Sequence, residues 1–284
     1  LVDVIDLHTH SLRSDGTDTP GELINKALAL NLDVLALTDH DTMEGWQEAK
    51  NYLRPGLDLV LGAEISCQTE DGISVHMLGL LFDGENQILH ETLTQTRENR
   101  HGRMERIVTR LQGAGIDIEL SEVLEQLSEG ATLGRPHLAD ALVKKRIVKS
   151  RDEAFATLLH NNSQYYVAHL SPTPEEIVRR ISGAGGVSII AHPFASLRGR
   201  TINSDTFAGL VAAGLTGIEV DHRDHTLDQR AQLRTIAREF GLVVTGSSDY
   251  HGIGKDNRLA ECSTAPEEWE RLESLANDRR VVRV

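Results

Sequence analysis

The chain has 284 residues, 39% hydrophobic and 25% charged, an ordinary balance for a folded globular protein. Its formal charge of −14 opposes non-specific nucleic-acid binding, which draws its affinity from cations that neutralise phosphates. No apolar stretch reaches the roughly 18 residues that span a bilayer, and two cysteines, Cys67 and Cys262, are too few for a disulfide framework.

Strands are expected at Val2–Leu7, Val34–Leu37, Leu57–Leu61, Val75–Leu80, Val187–Ile190, Gly217–Val220 and Leu242–Thr245, where short β-branched or Leu-rich runs recur. The strand pattern starts at once and leaves no room for a signal peptide. With free thiols, this gives the expectation of a cytoplasmic protein. Amphipathic segments separate several strands. Thr19-Pro20-Gly21-Glu22 has the N-cap, the first-turn proline and the glutamate of a helix start, and Thr173-Pro174-Glu175-Glu176 repeats it. Alternation of this kind predicts a parallel sheet with crossover helices.

Residues 86–166 break the rhythm. They read as helices around Glu91–Leu111, after Ser121, around His137–Val143 and around Asp152–His160, with breaks at Gly113-Ala114-Gly115 and Gly130. The expected organisation is a barrel from residues 1–85 and 167–284, with 86–166 inserted as a helical lid over one rim.

Nine metal-ligand types stand at the tips of the apolar runs: His8, His10, Asp15, His40, Glu64, His76, His192, Asp249 and His251. An open sheet gathers ligands at one crevice, whereas a barrel brings all its carboxyl strand ends to one rim. Donors on at least six strand ends therefore favour a closed or distorted barrel. His8 and His10 lie two apart on a strand and share a face, as do Asp249 and His251. Imidazole with carboxylate suits Mn, Fe or Zn better than the hard oxygen-seeking ions. Three carboxylates and one hydroxide carry −4. Two divalent ions neutralise them, and three leave +2, which matches a phosphate monoester dianion. Such a cluster makes water nucleophilic and stabilises both attacking and leaving oxygens.

The segments HTHSLRSDGT, LTDHD, GAEIS, VHMLG, AHP and SDYHG, taken in order, resemble the successive motifs of the PHP (polymerase and histidinol phosphatase) family. With the helical insertion and the GRPH segment, the chain is similar to the stand-alone bacterial members. The resemblance implies an α/β fold, a distorted (β/α)7 barrel with a helical insertion domain, and two or three divalent metal ions held by the nine ligands. It implies a phosphoesterase in which a metal-bridging hydroxide attacks a nucleotide phosphate monoester, a 3′,5′-bisphosphonucleotide or a nucleoside monophosphate. Alternatives of the same class are 5′-3′ exoribonuclease action on short RNA and hydrolysis of histidinol phosphate. An amidohydrolase would call for a lysine at a strand tip, and Glu64 occupies the plausible bridging position instead. A non-catalytic metal-binding accessory module is the third reading. No obligate protein partner is expected.

Beyond the ligands, Arg135 at a helix start in the insertion is the expected phosphate clamp, with His137 beside it. Of Arg198 and Arg200, in the loop after His192-Pro193, one is expected to reach the substrate phosphate, Arg198 being the first candidate. His225, following a strand, is expected to contact the phosphate or protonate the leaving oxygen, with His222 a weaker candidate. Asp41 is expected to orient a ligand imidazole. His169, Tyr165 and Tyr166 read as packing or surface residues, and Glu219 as a hydrogen-bonding partner of another barrel residue.

Overall fold

The computed structural model describes residues 3–196, 199–277 and 281–284. Seven strands follow one another around a sheet in chain order: β1 (Ile5–Asp6), β2 (Val34–Leu37), β3 (Asp58–Gln68), β4 (Ser74–Leu80), β5 (Val187–Ala191), β6 (Gly217–Asp221) and β7 (Val243–Gly246). Past the ends of β1 and β7, Thr9 and Tyr250 form a parallel bridge, with His10 N donating to the Tyr250 carbonyl at 2.8 Å. The sheet thus curls into a nearly closed barrel, as the spread of ligands over many strands requires.

The expectation of an all-parallel sheet is corrected at β4, which runs antiparallel to both β3 and β5. The chain reverses in a tight turn before β4, where Ile73 N donates to Thr69 Oγ1 at 2.9 Å. Gly72 takes φ +83 there, a conformation that favours glycine. β3 is also longer than the run Leu57–Leu61 and reaches Gln68, so Glu64 lies inside a strand. A short β8 (Val281–Val282) pairs with β3 at Leu59 and Val60.

Helix α1 (Pro20–Ala29) starts in the expected capping box, with Glu22 N donating to Thr19 Oγ1 and Thr19 N to Glu22 Oε2. Outside the barrel lie α2 (Trp46–Tyr52), α7 (Pro174–Gly183), α8 (Ser204–Ala213), α9 (Leu227–Phe240) and α10 (Pro266–Leu275). Ile177, Val178 and Ile181 make an apolar stripe on α7 that packs with Met77 and Ile190 of the barrel.

The interval 86–166 holds α3 (Gln87–Gly113), α4 (Leu120–Leu124), α5 (Arg135–Lys144) and α6 (Arg151–Thr157). Met104, Ile107, Leu111, Val123, Leu138 and Leu142 belong to a separate apolar cluster. Helix α3 serves both halves, because Leu89 and Leu93 pack into the barrel core. The insertion's own core therefore begins near Met104, one face of α3 having changed partners along its length.

Candidate metal centre

All nine expected ligands converge on one rim of the barrel. His10, Asp15, His40 and His251 offer ligand atoms within 4.8 Å of one another, as do His8, His10, Glu64 and Asp249, and as do His40, Glu64 and His76. His192 Nε2 lies 3.1 Å from Glu64 Oε1. Antiparallel β4 explains His76. It stands near the beginning of its strand, yet at the rim where the parallel strands end, opposite Ser66 and Ala191.

The donors are set for cations rather than for one another. His251 Nδ1 donates to the Asp249 carbonyl at 2.8 Å, so neutral His251 carries its lone pair on Nε2. That nitrogen is buried, makes no hydrogen bond, and lies 3.1 Å from Asp15 Oδ1. A lone pair facing a carboxylate oxygen at this distance is repulsive unless a cation stands with them. His40 Nδ1 is likewise buried without a hydrogen bond, 3.1 Å from Glu64 Oε2. Burial, with Lys255 and His10 nearby, holds the His251 pKa down at about 4. Burial also pulls on His10, but Asp249 and Glu64 outweigh it and hold that pKa up at about 9, so cation binding here displaces protons. Imidazole and carboxylate together fit Mn, Fe or Zn.

Surrounding side chains hold the donors in place. Glu219 Oε1 accepts from His8 Nδ1 at 3.0 Å, and its Oε2 accepts from His192 N at 2.8 Å. One buried carboxylate therefore fixes the tautomer of one ligand and the backbone of another, and His8 Nε2 is turned toward Glu64 and Asp249. Asp39 accepts from Ser11 N, Ser11 Oγ and Ser14 Oγ, which folds the loop that carries Asp15. Three non-glycine residues at the rim take positive φ: Asp41 (+52), His192 (+32) and Asp249 (+51). Such backbone persists only where the surroundings impose it.

Several candidate side chains have other partners in the fold. Asp41 accepts from Ser66 N, Ser66 Oγ and Arg100 Nε, so it anchors an arginine rather than a ligand imidazole. His225 has both ring nitrogens engaged by backbone: Nδ1 donates to the Val220 carbonyl at 2.9 Å and Nε2 accepts from Phe194 N at 3.2 Å. Burial lowers its pKa, and these bonds brace two loops. His137 Nδ1 accepts from Gly134 N at 3.1 Å and caps its own helix. His222 is buried beside the centre, its ring 5.3 Å from that of His192 and its Nε2 3.6 Å from Asp249 Oδ2. Arg198 lies outside the described residues.

A cavity of about 600 Å³ opens between the rim and the insertion, of a size that takes a small organic ligand. Its floor is Asp15, His40, Glu64, His76, Asp249 and His251. Arg135 lines the wall, together with Arg100, Arg103, Tyr166 and His169. The Arg135 guanidinium is 5.6 Å from the Phe155 ring and 5.7 Å from Tyr166, and Arg103 is 5.5 Å from Tyr166. Burial and then Arg135 push the Arg103 pKa down. His169 Nδ1 pairs with Ser171 Oγ, while buried Nε2 has no hydrogen-bond partner. Burial, then Arg100 and Arg103, push its pKa down to about 2. Arg100 and Arg103 were hidden among the many charges of α3, but spacing of three residues places them on one helix face. Lys255 Nζ, 3.1 Å from Asp249 Oδ2, had no sequence signal beyond its place shortly after SDYHG.

A PHP-domain profile matches residues 6–168. The chain is 35% identical over 255 residues to a 3′,5′-nucleoside bisphosphate phosphatase of Chromobacterium violaceum, covering 89% of each. It is 34% identical over 249 residues to a 5′-3′ exoribonuclease of Haemophilus influenzae, covering 87% of this chain and 89% of that one. A solved structure of a presumptive metal-dependent phosphoesterase from Bifidobacterium adolescentis superposes with a TM-score of 0.91 at 38% identity, covering 96% of both chains.

Proposed function

This chain belongs to the PHP family and is a metal-dependent phosphoesterase, and we propose that its substrate is a nucleotide carrying a second phosphate besides the one removed. The observation that supports this reading is the division of the cavity. One end gathers the metal ligands, and the wall gathers Arg100, Arg103 and Arg135 with the unpartnered Nε2 of His169. Of these arginines, Arg100 is matched by the Asp41 carboxylate at 2.8 Å. Arg135 is spent on uncharged oxygens, the Leu159 carbonyl and Asn161 Oδ1. A buried cation cluster with so little opposing charge favours an anionic ligand group.

Two or three Mn, Fe or Zn ions fit the donor set, and when bound they supply Lewis acidity and a nucleophilic water for attack on phosphorus. The chain's own residues do the rest. Glu219 orients His8, Asp39 folds the Asp15 loop, and stacking on Phe155 and Tyr166 keeps Arg135 aimed before substrate arrives. A second phosphate against the arginines places the scissile one over the metal ligands. The protein acts in the cytoplasm in this reading, where Cys67 and Cys262 remain free thiols; among the described residues no helix is long and apolar enough to cross a membrane.

The test compares phosphate release from a 3′,5′-bisphosphonucleotide, a nucleoside monophosphate and a short 5′-phosphorylated RNA. The expected result is highest kcat/KM for the bisphosphate, with Arg135→Ala raising KM for that substrate and leaving the monophosphate little changed. Preference for RNA, with the same Arg135→Ala insensitivity for both mononucleotides, contradicts the reading and favours the exoribonuclease alternative.

A further inference from the structure

Outside the ligand shell, two loops that supply metal donors are tied together by a three-residue polar network. Tyr250 Oη donates to Asp18 Oδ2 at 2.8 Å. Lys26 Nζ, on α1, donates to Asp18 Oδ1 and Oδ2 at 2.8 and 2.7 Å, and reaches Tyr250 Oη at 3.1 Å. Asp18 and Tyr250 are buried. The Tyr250 carbonyl also accepts from His10 N, which closes the barrel.

The two loops meet nearby as well. Thr17 N donates to the His251 carbonyl at 3.1 Å, and Ile253 N to Thr17 Oγ1 at 2.9 Å. Gly252, at φ +68, makes this approach feasible, since a Cβ there would stand 2.0 Å from Thr17 Oγ1. Asp15 lies three residues before Asp18, and His251 directly follows Tyr250. The network therefore ties together the two loops whose His251 Nε2 and Asp15 Oδ1 stand 3.1 Å apart.

Asp249 is secured differently. The preceding residue, Ser248, donates from N to Asp6 Oδ1 at 3.0 Å, and its carbonyl accepts from Asn257 Nδ2 at 2.6 Å. Those partners do not touch the Tyr250 network in any described bond. Loosening the network thus relaxes the spacing of Asp15 and His251 more than it disturbs Asp249.

We propose that Tyr250, Asp18 and Lys26 form a positioning clamp for one cation of the centre, the one taken by His10, Asp15, His40 and His251. The inference rests on the metal-centre reading above. The clamp acts through geometry. It holds two donors from distant parts of the sequence at a fixed separation, so that binding an ion does not have to order them. Tyr250, Asp18 and Lys26 are positioning residues and touch neither ion nor substrate.

The test is titration of the metal-free protein with Mn(II), by calorimetry and by elemental analysis of bound metal per chain. Tyr250→Phe keeps the packing and removes one hydroxyl; Lys26→Met removes the charge. Each is expected to weaken one binding step roughly tenfold or more, the range typical of outer partners of ligands, with the other steps unchanged. Asp15→Asn, which strikes a donor of that cation set, is expected to remove the same step, and adding Tyr250→Phe to it should change nothing further. Lys26→Arg should restore much of the loss. Wild-type titration by Tyr250→Phe, equal weakening of every step, or a further step lost in the double variant each overturns the clamp. Wild-type protein that binds no Mn overturns the metal centre itself, and the clamp with it.

Discussion

His8 Nδ1 and Glu219 Oε1 lie 3.0 Å apart in the barrel interior, although 211 positions separate them in the sequence. The same carboxylate takes the backbone N–H of His192. Burial would raise the Glu219 pKa, yet His8, His222 and His192 hold it down at about 2. Glu219 is therefore ionised throughout the working pH range and keeps the His8 proton on Nδ1, leaving Nε2 free to bind a cation.

Glu219→Gln should accordingly lower metal affinity by roughly 10- to 100-fold while the fold persists. Competition with a chelator of known affinity measures it. Metal binding equal to wild type would show that the pair serves the barrel alone.

His225→Asn distinguishes a bracing imidazole from a general acid. The variant loses backbone partners and should be destabilised by about 1–3 kcal/mol, read by urea unfolding. Its pH–rate profile should keep the wild-type acid and base limbs. Disappearance of the limb that reports a protonated group would return His225 to the role of general acid.

His169 makes a pH prediction. Its folded pKa is pushed down to about 2, whereas the unfolded value is about 6.5. Below pH 6.5 the unfolded chain takes up a proton that the folded protein refuses, so stability falls as pH drops. Between pH 6 and pH 5, this one group should cost about 1 kcal/mol. His169→Gln should therefore gain on wild type by that amount over the same interval in denaturant titrations. Parallel stability curves for the two proteins would count against a buried neutral imidazole.

Much of the site was legible because ligand chemistry is local in sequence while the fold does the gathering. His8 and His10, or Asp249 and His251, announce themselves by spacing, and each sits at the end of an apolar run. The strand at Val34–Leu37 and the caps at Thr19 and Thr173 were equally plain, since a four-residue apolar run and a Thr-Pro-x-Glu start admit few other structures. Strand direction was not legible. Alternating strands and helices imply parallel pairs, and only the turn between Thr69 and Ser74 reverses β4.

Side-chain partners were less legible than ligand types. His225 and His137 read as substrate contacts from residue type and from position after a strand or at a helix start, but backbone groups engage both ring nitrogens of His225 and the Nδ1 of His137. Asp41 neighbours a ligand in sequence, yet its positive φ turns it toward Ser66 and Arg100. Conversely, His169 reads in the sequence as a packing or surface residue, and Arg103 carries no local signal at all. Their meaning comes from the insertion folding over the rim, a long-range contact that no local pattern encodes.

The central claim is that the clustered donors hold cations that activate water against a phosphate ester. Its most direct test is inorganic phosphate release from a 3′,5′-bisphosphonucleotide by chelator-stripped protein, before and after stepwise addition of Mn(II), with bound metal counted alongside. The account predicts no turnover from the stripped protein and recovery only as at least two ions per chain are bound. Undiminished turnover by protein shown to be free of metal would contradict it.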